Sequence, residues 1–154
     1  MTIPEKNFEG QVVIVTGGTK GIGKVIAENF LRAGADVVVC ARNAPEGSIE
    51  YGDRQAKFIT CDVRDHEQIK AVIALCDEEY GKLDVLVNNA GGAPPADSST
   101  ASERFTRSVI DLNLVSPILF SQEAASLIRK SSGTGVILNI SSVSGMRANP
   151  LGVA

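Results

Sequence analysis

Five short apolar runs, separated by polar turns and by segments with helical periodicity, constrain the fold of this chain more than any other feature. They occupy residues 11–16, 36–41, 57–61, 83–87 and 136–140. Continuous apolar runs of this length, bounded by turn residues, are typical of strands that are buried on both faces. Strands that alternate with helices predict an α/β fold built on a parallel sheet.

The segments between these runs carry signals for helices. Helices are predicted over residues 21–33, 65–80 and 102–130. The first has apolar side chains at helical spacing, namely Ile22, Val25, Ile26 and Phe30. Asp65 is a suitable N-cap for the second, with Gln68 three residues later. The connection over residues 43–56 holds one proline and two glycines, so any helix there must be short or absent.

Composition limits the classes of protein to consider. A length of 154 residues favours one domain, and a net charge of -3 argues against a basic nucleic-acid or membrane surface. Neither a signal peptide nor an apolar run near the ~20 residues of a membrane helix is found. The cysteines, at 40, 61 and 76, form no CxxC motif. We therefore expect a reducing cytoplasm, buried thiols and no metal site.

A glycine-rich turn follows the first apolar run and precedes the first predicted helix. It reads Gly17-Gly18-Thr19-Lys20-Gly21-Ile22-Gly23. Glycines at such a turn let backbone N–H groups approach a phosphate, and the helix dipole adds attraction; a turn that only packs the helix on the sheet is the alternative. The spacing also fits the start of a nucleoside-triphosphate P-loop, but Val25 replaces the hydroxyl residue that would hold Mg²⁺.

The spacing of this turn and four later motifs resemble the short-chain dehydrogenase/reductase family. The shared features are T-G-x-x-x-G-I-G from Thr16, Asp62-Val63, Asn88-Asn89-Ala90-Gly91, Asn113, and Asn139-Ile140-Ser141-Ser142. They match in kind and order over essentially the whole chain. The resemblance implies a Rossmann-type doubly wound parallel sheet with strand order 3-2-1-4-5. It also implies an oxidoreductase that transfers hydride between NAD(P)(H) and a small carbonyl or alcohol substrate.

The resemblance assigns cofactor contacts to residues at the carboxyl ends of the predicted strands. The phosphates would be cradled by Gly17, Thr19, Gly21 and Ile22. Asp62 would bond the adenine, with Val63 beside the ring. The ribose and the path to the nicotinamide would be lined by Asn89, Ala90 and Gly91. Asn88 has two interpretations, as part of this lining or as a tie between neighbouring strands.

The residues after the second predicted strand favour NADP(H) over NAD(H). A carboxylate at the end of that strand would accept from a 2′-hydroxyl and repel a 2′-phosphate, but Ala41 stands there. Arg42 comes next, and Lys20 lies in the glycine turn. Two cations favour a phosphate dianion, whereas the alternative leaves Arg42 as a solvated loop charge.

Two further positions match catalytic residues of the family. Ser142 would hydrogen-bond the substrate oxygen, and its neighbours Ser141 and Ser144 are the alternatives. Asn113 lies within the long predicted helix. Because Pro117 has no N–H, the Asn113 carbonyl loses its helical donor and could hold a water that relays protons. A kinked helix with a satisfied polar side chain is the simpler alternative.

The family's Tyr-x-x-x-Lys acid–base pair is expected immediately after Ala154. We therefore expect residues 1–154 to be the N-terminal, dinucleotide-binding part of a longer chain, inactive by itself. The alternatives are a catalytically inactive dinucleotide sensor and a truncated fragment. The stretch 109–120 is apolar nearly all round, which predicts burial inside one subunit or, as in the family, across a homodimer or homotetramer interface.

Overall fold

A five-stranded parallel sheet organises the chain, and the computed structural model describes residues 7–143. The sheet comprises β1 (Val12–Thr16), β2 (Asp36–Ala41), β5 (Lys57–Thr60), β6 (Val85–Asn88) and β7 (Val136–Asn139). Their spatial order is β5-β2-β1-β6-β7. All four neighbouring pairs are parallel. The predicted Rossmann-type sheet and its order 3-2-1-4-5 are confirmed, with each strand within two residues of its predicted bounds.

The central strand β1 explains why the apolar runs are continuous. All five of its residues are buried, and successive side chains point to opposite faces of the sheet. Val12 and Ile14 pack into a core with the second and fourth helices, whereas Val13 and Val15 pack into a core with the first. A strand covered on both faces has no position at which a polar side chain would meet water.

The helices are α1 (Gly21–Arg32), α2 (His66–Tyr80), α3 (Glu103–Ile110) and α4 (Ser116–Ser131), with a π-helical turn, Asp111–Val115, between the last two. The Asp65 cap is confirmed, because its carboxylate accepts from the Glu67 and Gln68 amides. No helix within residues 7–143 is both long enough and apolar enough to cross a membrane.

The first predicted helix is confirmed, but the apolar residues that show its helical spacing are not its most deeply buried ones. Ile22 and Val25 are 68% and 55% exposed, while Gly23, Ala27 and Leu31 are buried against the sheet. Two of these three residues have little or no side chain, so the helix backbone lies close to β1 and to the loop after β6. Close approach of the backbone therefore overrides the orientation that the bulkier apolar residues would favour.

The long predicted helix is continuous from Glu103 to Ser131 but changes its hydrogen bonding in the middle. The amide of Ser116 donates to the Asp111 carbonyl, five residues back, instead of four. In that pattern the Leu112 carbonyl would need the N–H that Pro117 lacks. The Ser116 hydroxyl donates to it instead, at 2.7 Å. The π-helical turn thus lies directly before Pro117, at the position where the sequence predicted a disturbed helix.

The connection between β2 and β5 contains no helix, as predicted. It forms a short antiparallel ribbon of β3 (Glu50–Tyr51) and β4 (Arg54–Gln55), joined by a turn in which Gly52 has a φ of 59°. Ile49, just before the ribbon, is buried in the core shared with α1. Ile49 and the ion pair between Arg54 on β4 and Asp36 on β2 hold the crossover against the sheet.

Candidate functional site

The carboxyl ends of the parallel strands meet at one edge of the sheet, and a cleft with a volume of about 1320 Å³ opens there. Its wall includes Ile22 from the start of α1, the loop after β6, Asn113 from the π-helical turn, and the residues after β7. Of the predicted site residues, it brings together Ile22, Asn89, Ala90, Gly91, Asn113 and Ser142.

The remaining predicted site residues do not line this cleft but follow strands that end at the same edge. Gly17, Thr19, Lys20 and Gly21 follow β1, Arg42 follows β2, and Asp62 and Val63 follow β5. Ser141 lines the cleft beside Ser142, and the third serine, Ser144, lies outside the described residues.

The glycines of the first turn differ in the structural reason that favours glycine at each position. Gly17 and Gly21 have φ values of 65° and 55°, which side-chain-bearing residues rarely adopt. A Cβ on Gly18 would lie 2.7 Å from Cγ1 of Val39, and one on Gly23 would collide with the Gly17 carbonyl and the Asn89 amide. A Cβ on Gly21 would have no atom within 4 Å. The turn is thus tightly packed on one side and open at Gly21.

The helix that starts at this opening is also uncapped. No side chain caps the N-terminus of α1 and its first turn has no acidic residue, whereas Asp65 caps α2 and Ser102 caps α3. The first amides of a helix have no intrahelical acceptor, so an anion is a suitable partner for them. The open space at Gly21 and these amides fit a phosphate group.

Thr16, the last residue of β1, fastens the neighbouring loop to the glycine turn. Its buried Oγ1 accepts hydrogen bonds from the amides of Asn89, at 3.0 Å, and Ala90, at 2.9 Å. The Asn89 side chain donates in return to the Thr16 carbonyl at 2.9 Å. Sequence reasoning included Thr16 in the motif but gave it no role. A threonine that ends a fully apolar strand was the available signal, since a buried hydroxyl needs partners.

Asn88 lines the cleft and also ties neighbouring strands together, so the structure is compatible with both of its interpretations. Its side-chain nitrogen donates to Oδ1 of Asn139 on β7 at 2.9 Å and to Oγ of Ser121 on α4 at 3.1 Å. Asn88 is only 7% exposed. The bonds hold β6, β7 and α4 together in the wall of the cleft, which Asn88, Ser121 and Asn139 all line.

Asn113 connects the π-helical turn to the loop after β6. Its Oδ1 accepts from the Gly92 amide at 2.8 Å, and its Nδ2 donates to the Gly92 and Val109 carbonyls at 3.1 and 2.9 Å. A Cβ on Gly91 would lie 2.9 Å from the same Oδ1. The Asn113 side chain is therefore satisfied structurally. In the π-helical pattern Pro117 removes the donor of the Leu112 carbonyl and not, as the sequence suggested, that of the Asn113 carbonyl.

The carboxylate of Asp62 is held by a neighbouring arginine. Arg64 donates from Nε to Oδ1 at 3.0 Å and from Nη2 to Oδ2 at 2.6 Å. These bonds lower the pKa of Asp62, so the carboxylate stays ionised at neutral pH. Val63 beside it is 5% exposed and packs in the core, and sequence reasoning did not single out Arg64.

Lys20 and Arg42 are both exposed, and within residues 7–143 neither forms a salt bridge. Ala41 ends β2 without offering a carboxylate. Both cations therefore remain available to an anion at the sheet edge that carries the glycine turn.

A sheet of this order, with a glycine turn after its first strand, defines the Rossmann-type α/β class, whose ligands bind at the carboxyl ends of the strands. Within that class the chain belongs to the short-chain dehydrogenase family, whose model matches residues 11–154. The family expected from the motifs is confirmed.

Several relatives are similar over most of this chain. A 3beta-hydroxysteroid dehydrogenase of Mediterraneibacter gnavus is 38% identical over 154 residues, which are 96% of this chain and 55% of the relative. Glucose 1-dehydrogenase 2 of Bacillus subtilis is 35% identical, over 96% of this chain and 60% of the relative. The chain thus spans a little more than half the length of these relatives.

Two solved structures superpose closely on this chain. A variant of actinorhodin polyketide ketoreductase, determined with NADPH, superposes with a TM-score of 0.80 at 31% identity, covering 92% of this chain and 56% of that one. A citronellol catabolism dehydrogenase of Pseudomonas aeruginosa gives a TM-score of 0.85 at 30% identity, covering 98% and 63%. The similarity therefore extends through the described fold.

Proposed function

We propose that this chain is the dinucleotide-binding part of an NADP(H)-dependent oxidoreductase that acts on a small carbonyl or alcohol substrate. The observation that carries the proposal is the uncapped N-terminus of α1 beside the open space at Gly21, at the same sheet edge as the large cleft. The bound nicotinamide would supply or accept the hydride. The chain's own residues would bind and orient the cofactor and the substrate.

The glycine turn would bind the pyrophosphate through its backbone amides. This role falls on Gly17, Thr19, Lys20, Gly21 and Ile22. Glycine is needed at Gly21 because its positive φ directs the chain into the first turn of α1. The absence of an acidic residue from that turn avoids repulsion of the phosphates.

The adenosine end would lie over the ends of β5 and β6. Asp62 would accept a hydrogen bond from the adenine, with Val63 at the edge of the ring. The route from the ribose to the nicotinamide would follow Asn89, Ala90 and Gly91, in a loop that Thr16 holds at the first two of these residues and Asn113 holds at Gly92. A loop held at both ends keeps its shape when ligand arrives, which lowers the entropic cost of binding.

Lys20 and Arg42 would bind the 2′-phosphate and make NADP(H) the preferred cofactor. Neither forms a salt bridge in the described part of the chain, which supports this because no such contact would have to break first; the Arg42 charge acts on Asp62 only as a smaller contribution to its lowered pKa. The charge-assisted hydrogen bonds of an arginine to phosphate are each worth about 1.5–3 kcal/mol. Such an interaction suffices to separate two cofactors that differ only in that phosphate.

Ser142 and the Asn113 carbonyl would serve the chemistry. The Ser142 hydroxyl would donate to the substrate oxygen, and the carbonyl would hold a water in the proton relay. The relatives are nearly twice as long as this chain, so we place the remaining catalytic pair, Tyr-x-x-x-Lys, outside these 154 residues. The 154-residue chain alone would bind cofactor without turnover.

The proposal also includes the subunit assembly and the cellular compartment of the protein. Residues 109–120 are not fully buried within the chain, since Ile110, Leu114 and Ile118 are 42%, 57% and 49% exposed. Leu114 and Ile118 line the large cleft, and the rest of this apolar surface would pack against another subunit in a homodimer or homotetramer. All three cysteines are buried and free, in keeping with a reducing cytoplasm.

Calorimetric titration with NADPH and NADH tests the cofactor assignment. We expect NADPH to bind at least about tenfold more tightly than NADH, and Arg42→Ala to remove most of that preference. Arg104→Ala, which removes an exposed arginine on α3 outside the large cleft, is the matched control. Equal affinities for the two cofactors would contradict the NADP preference, and no heat with either would contradict dinucleotide binding altogether.

A further inference from the structure

Arg64 makes contacts that the binding scheme above does not use. Its guanidinium forms a two-pronged ion pair with Asp62, through Nε to Oδ1 and Nη2 to Oδ2. Its backbone amide donates to the same Oδ1 at 3.1 Å. One residue therefore supplies three hydrogen bonds to one carboxylate. Such a fork fixes the plane of a carboxylate in a way that a single point charge does not.

The guanidinium is held from a second element as well. Its Nη1 donates to Oγ of Ser108 on α3 at 2.9 Å, 44 residues along the chain. Arg64 and Ser108 line a small cavity of about 420 Å³, together with Glu103, Arg104, Arg107 and Asp111. The Asp62 carboxylate is thus positioned by a group that is anchored on α3 as well as on its own loop.

The number of acceptor positions on Asp62 determines what remains for a ligand. A carboxylate has about four lone-pair positions, two on each oxygen. Arg64 fills two positions on Oδ1 and one on Oδ2. One acceptor position on Oδ2 is left, and the Asp62 side chain is 28% exposed, so a ligand can reach the carboxylate.

We propose that Arg64 is a positioning residue for base recognition, which orients the Asp62 carboxylate so that one Oδ2 lone pair selects the exocyclic amino group of adenine. The inference rests on the proposed function, in which Asp62 meets the adenine. The amino group of adenine donates a hydrogen bond. Hypoxanthine, the base of the deamino cofactors, has a carbonyl oxygen at that position, so two hydrogen-bond acceptors, this oxygen and the Asp62 carboxylate, would face each other. The positive charge of Arg64 also offsets the repulsion between Asp62 and an anionic cofactor.

Binding of deamino cofactors tests the role directly. The 154-residue chain is titrated with two matched pairs, NADPH with deamino-NADPH and NADH with deamino-NADH, so that no cofactor preference is presupposed. We expect wild type to favour the amino form about tenfold, the effect of one hydrogen bond to a charged group. Asp62→Ala should bring the ratio close to one. Arg64→Ala should reduce it to about threefold or less, and Arg64→Lys should restore only part of it.

Arg107→Gln is the matched control, because Arg107 lines the same cavity but bonds only to Glu103 among the described side chains. It should keep the wild-type ratio. Thermal unfolding of each variant checks that a change in the binding ratio is not caused by a general loss of stability. If Asp62→Ala lowers the ratio and Arg64→Ala does not, the positioning role is wrong. If Asp62→Ala leaves the ratio unchanged, or no pair binds, the binding scheme on which it depends is wrong too.

Discussion

Replacing Thr16 with valine tests whether one buried hydroxyl fastens the cofactor loop. Valine has nearly the same shape but no oxygen, so the amides of Asn89 and Ala90 lose their acceptor at 3.0 and 2.9 Å. Each unsatisfied amide costs about 1–3 kcal/mol when buried. Both residues are half-buried, and water can reach the loop in part. We therefore expect a loss of about 2–3 kcal/mol in the free energy of unfolding.

Thermal and urea unfolding followed by circular dichroism measure this loss. For a chain of this length the corresponding fall in Tm is roughly 4–12 °C. Thr16→Ser keeps the oxygen and should lose no more than about 1.5 kcal/mol, the usual cost of one buried methyl. Thr60→Val removes the hydroxyl of an exposed threonine at the end of β5 and serves as the matched control.

The relative stabilities of the three variants decide whether the reasoning holds. If Thr16→Val is as stable as Thr60→Val, the hydroxyl does not hold the loop and the reasoning fails. If Thr16→Ser is as unstable as Thr16→Val, the methyl group matters and the oxygen does not. If Thr16→Val releases the loop, NADPH should also bind more weakly to Thr16→Val than to Thr16→Ser.

Three further outcomes are expected. Gly18→Ala should cost about 1–3 kcal/mol, because its Cβ would lie 2.7 Å from Val39, whereas Gly47→Ala, with nothing within 4 Å, should be neutral or slightly stabilising in urea unfolding. Since Arg64 lowers the pKa of Asp62, the stability from this pair is present above the ordinary aspartate pKa and lost as the pH falls through the lowered one. The unfolding free energies of wild type and Arg64→Gln should thus differ at neutral pH and converge in acid; a constant difference would contradict this. Burial raises the pKa of Cys76 to about 12, so its thiol should resist Ellman's reagent at pH 8 until urea unfolds the chain.

Much of the fold was predictable because its signals are local. Continuous apolar runs identify strands covered on both faces, and their alternation with helices leaves few arrangements other than a parallel sheet. The Asp65 cap and the effect of Pro117 depend only on neighbours within one helical turn. The glycine turn is similarly local, since a positive φ at Gly17 and Gly21 favours glycine wherever the rest of the chain lies.

Other features depend on residues that are distant in sequence. The buried face of α1 depends on how closely Gly23 and Ala27 let the helix approach the sheet. The spacing of apolar residues along the sequence does not indicate this distance. The clamp from Thr16 to the Asn89 amide spans 73 residues, and the bond from Arg64 to Ser108 spans 44. The sequence pattern by itself determined that strands alternate with helices around a parallel sheet and which residue types stand at the strand ends, whereas the spatial order of the strands was implied by the resemblance to the family. Only the tertiary structure decided which of those groups bond to one another, because a hydrogen bond requires both partners within about 3 Å, and the packing of the sheet sets that distance.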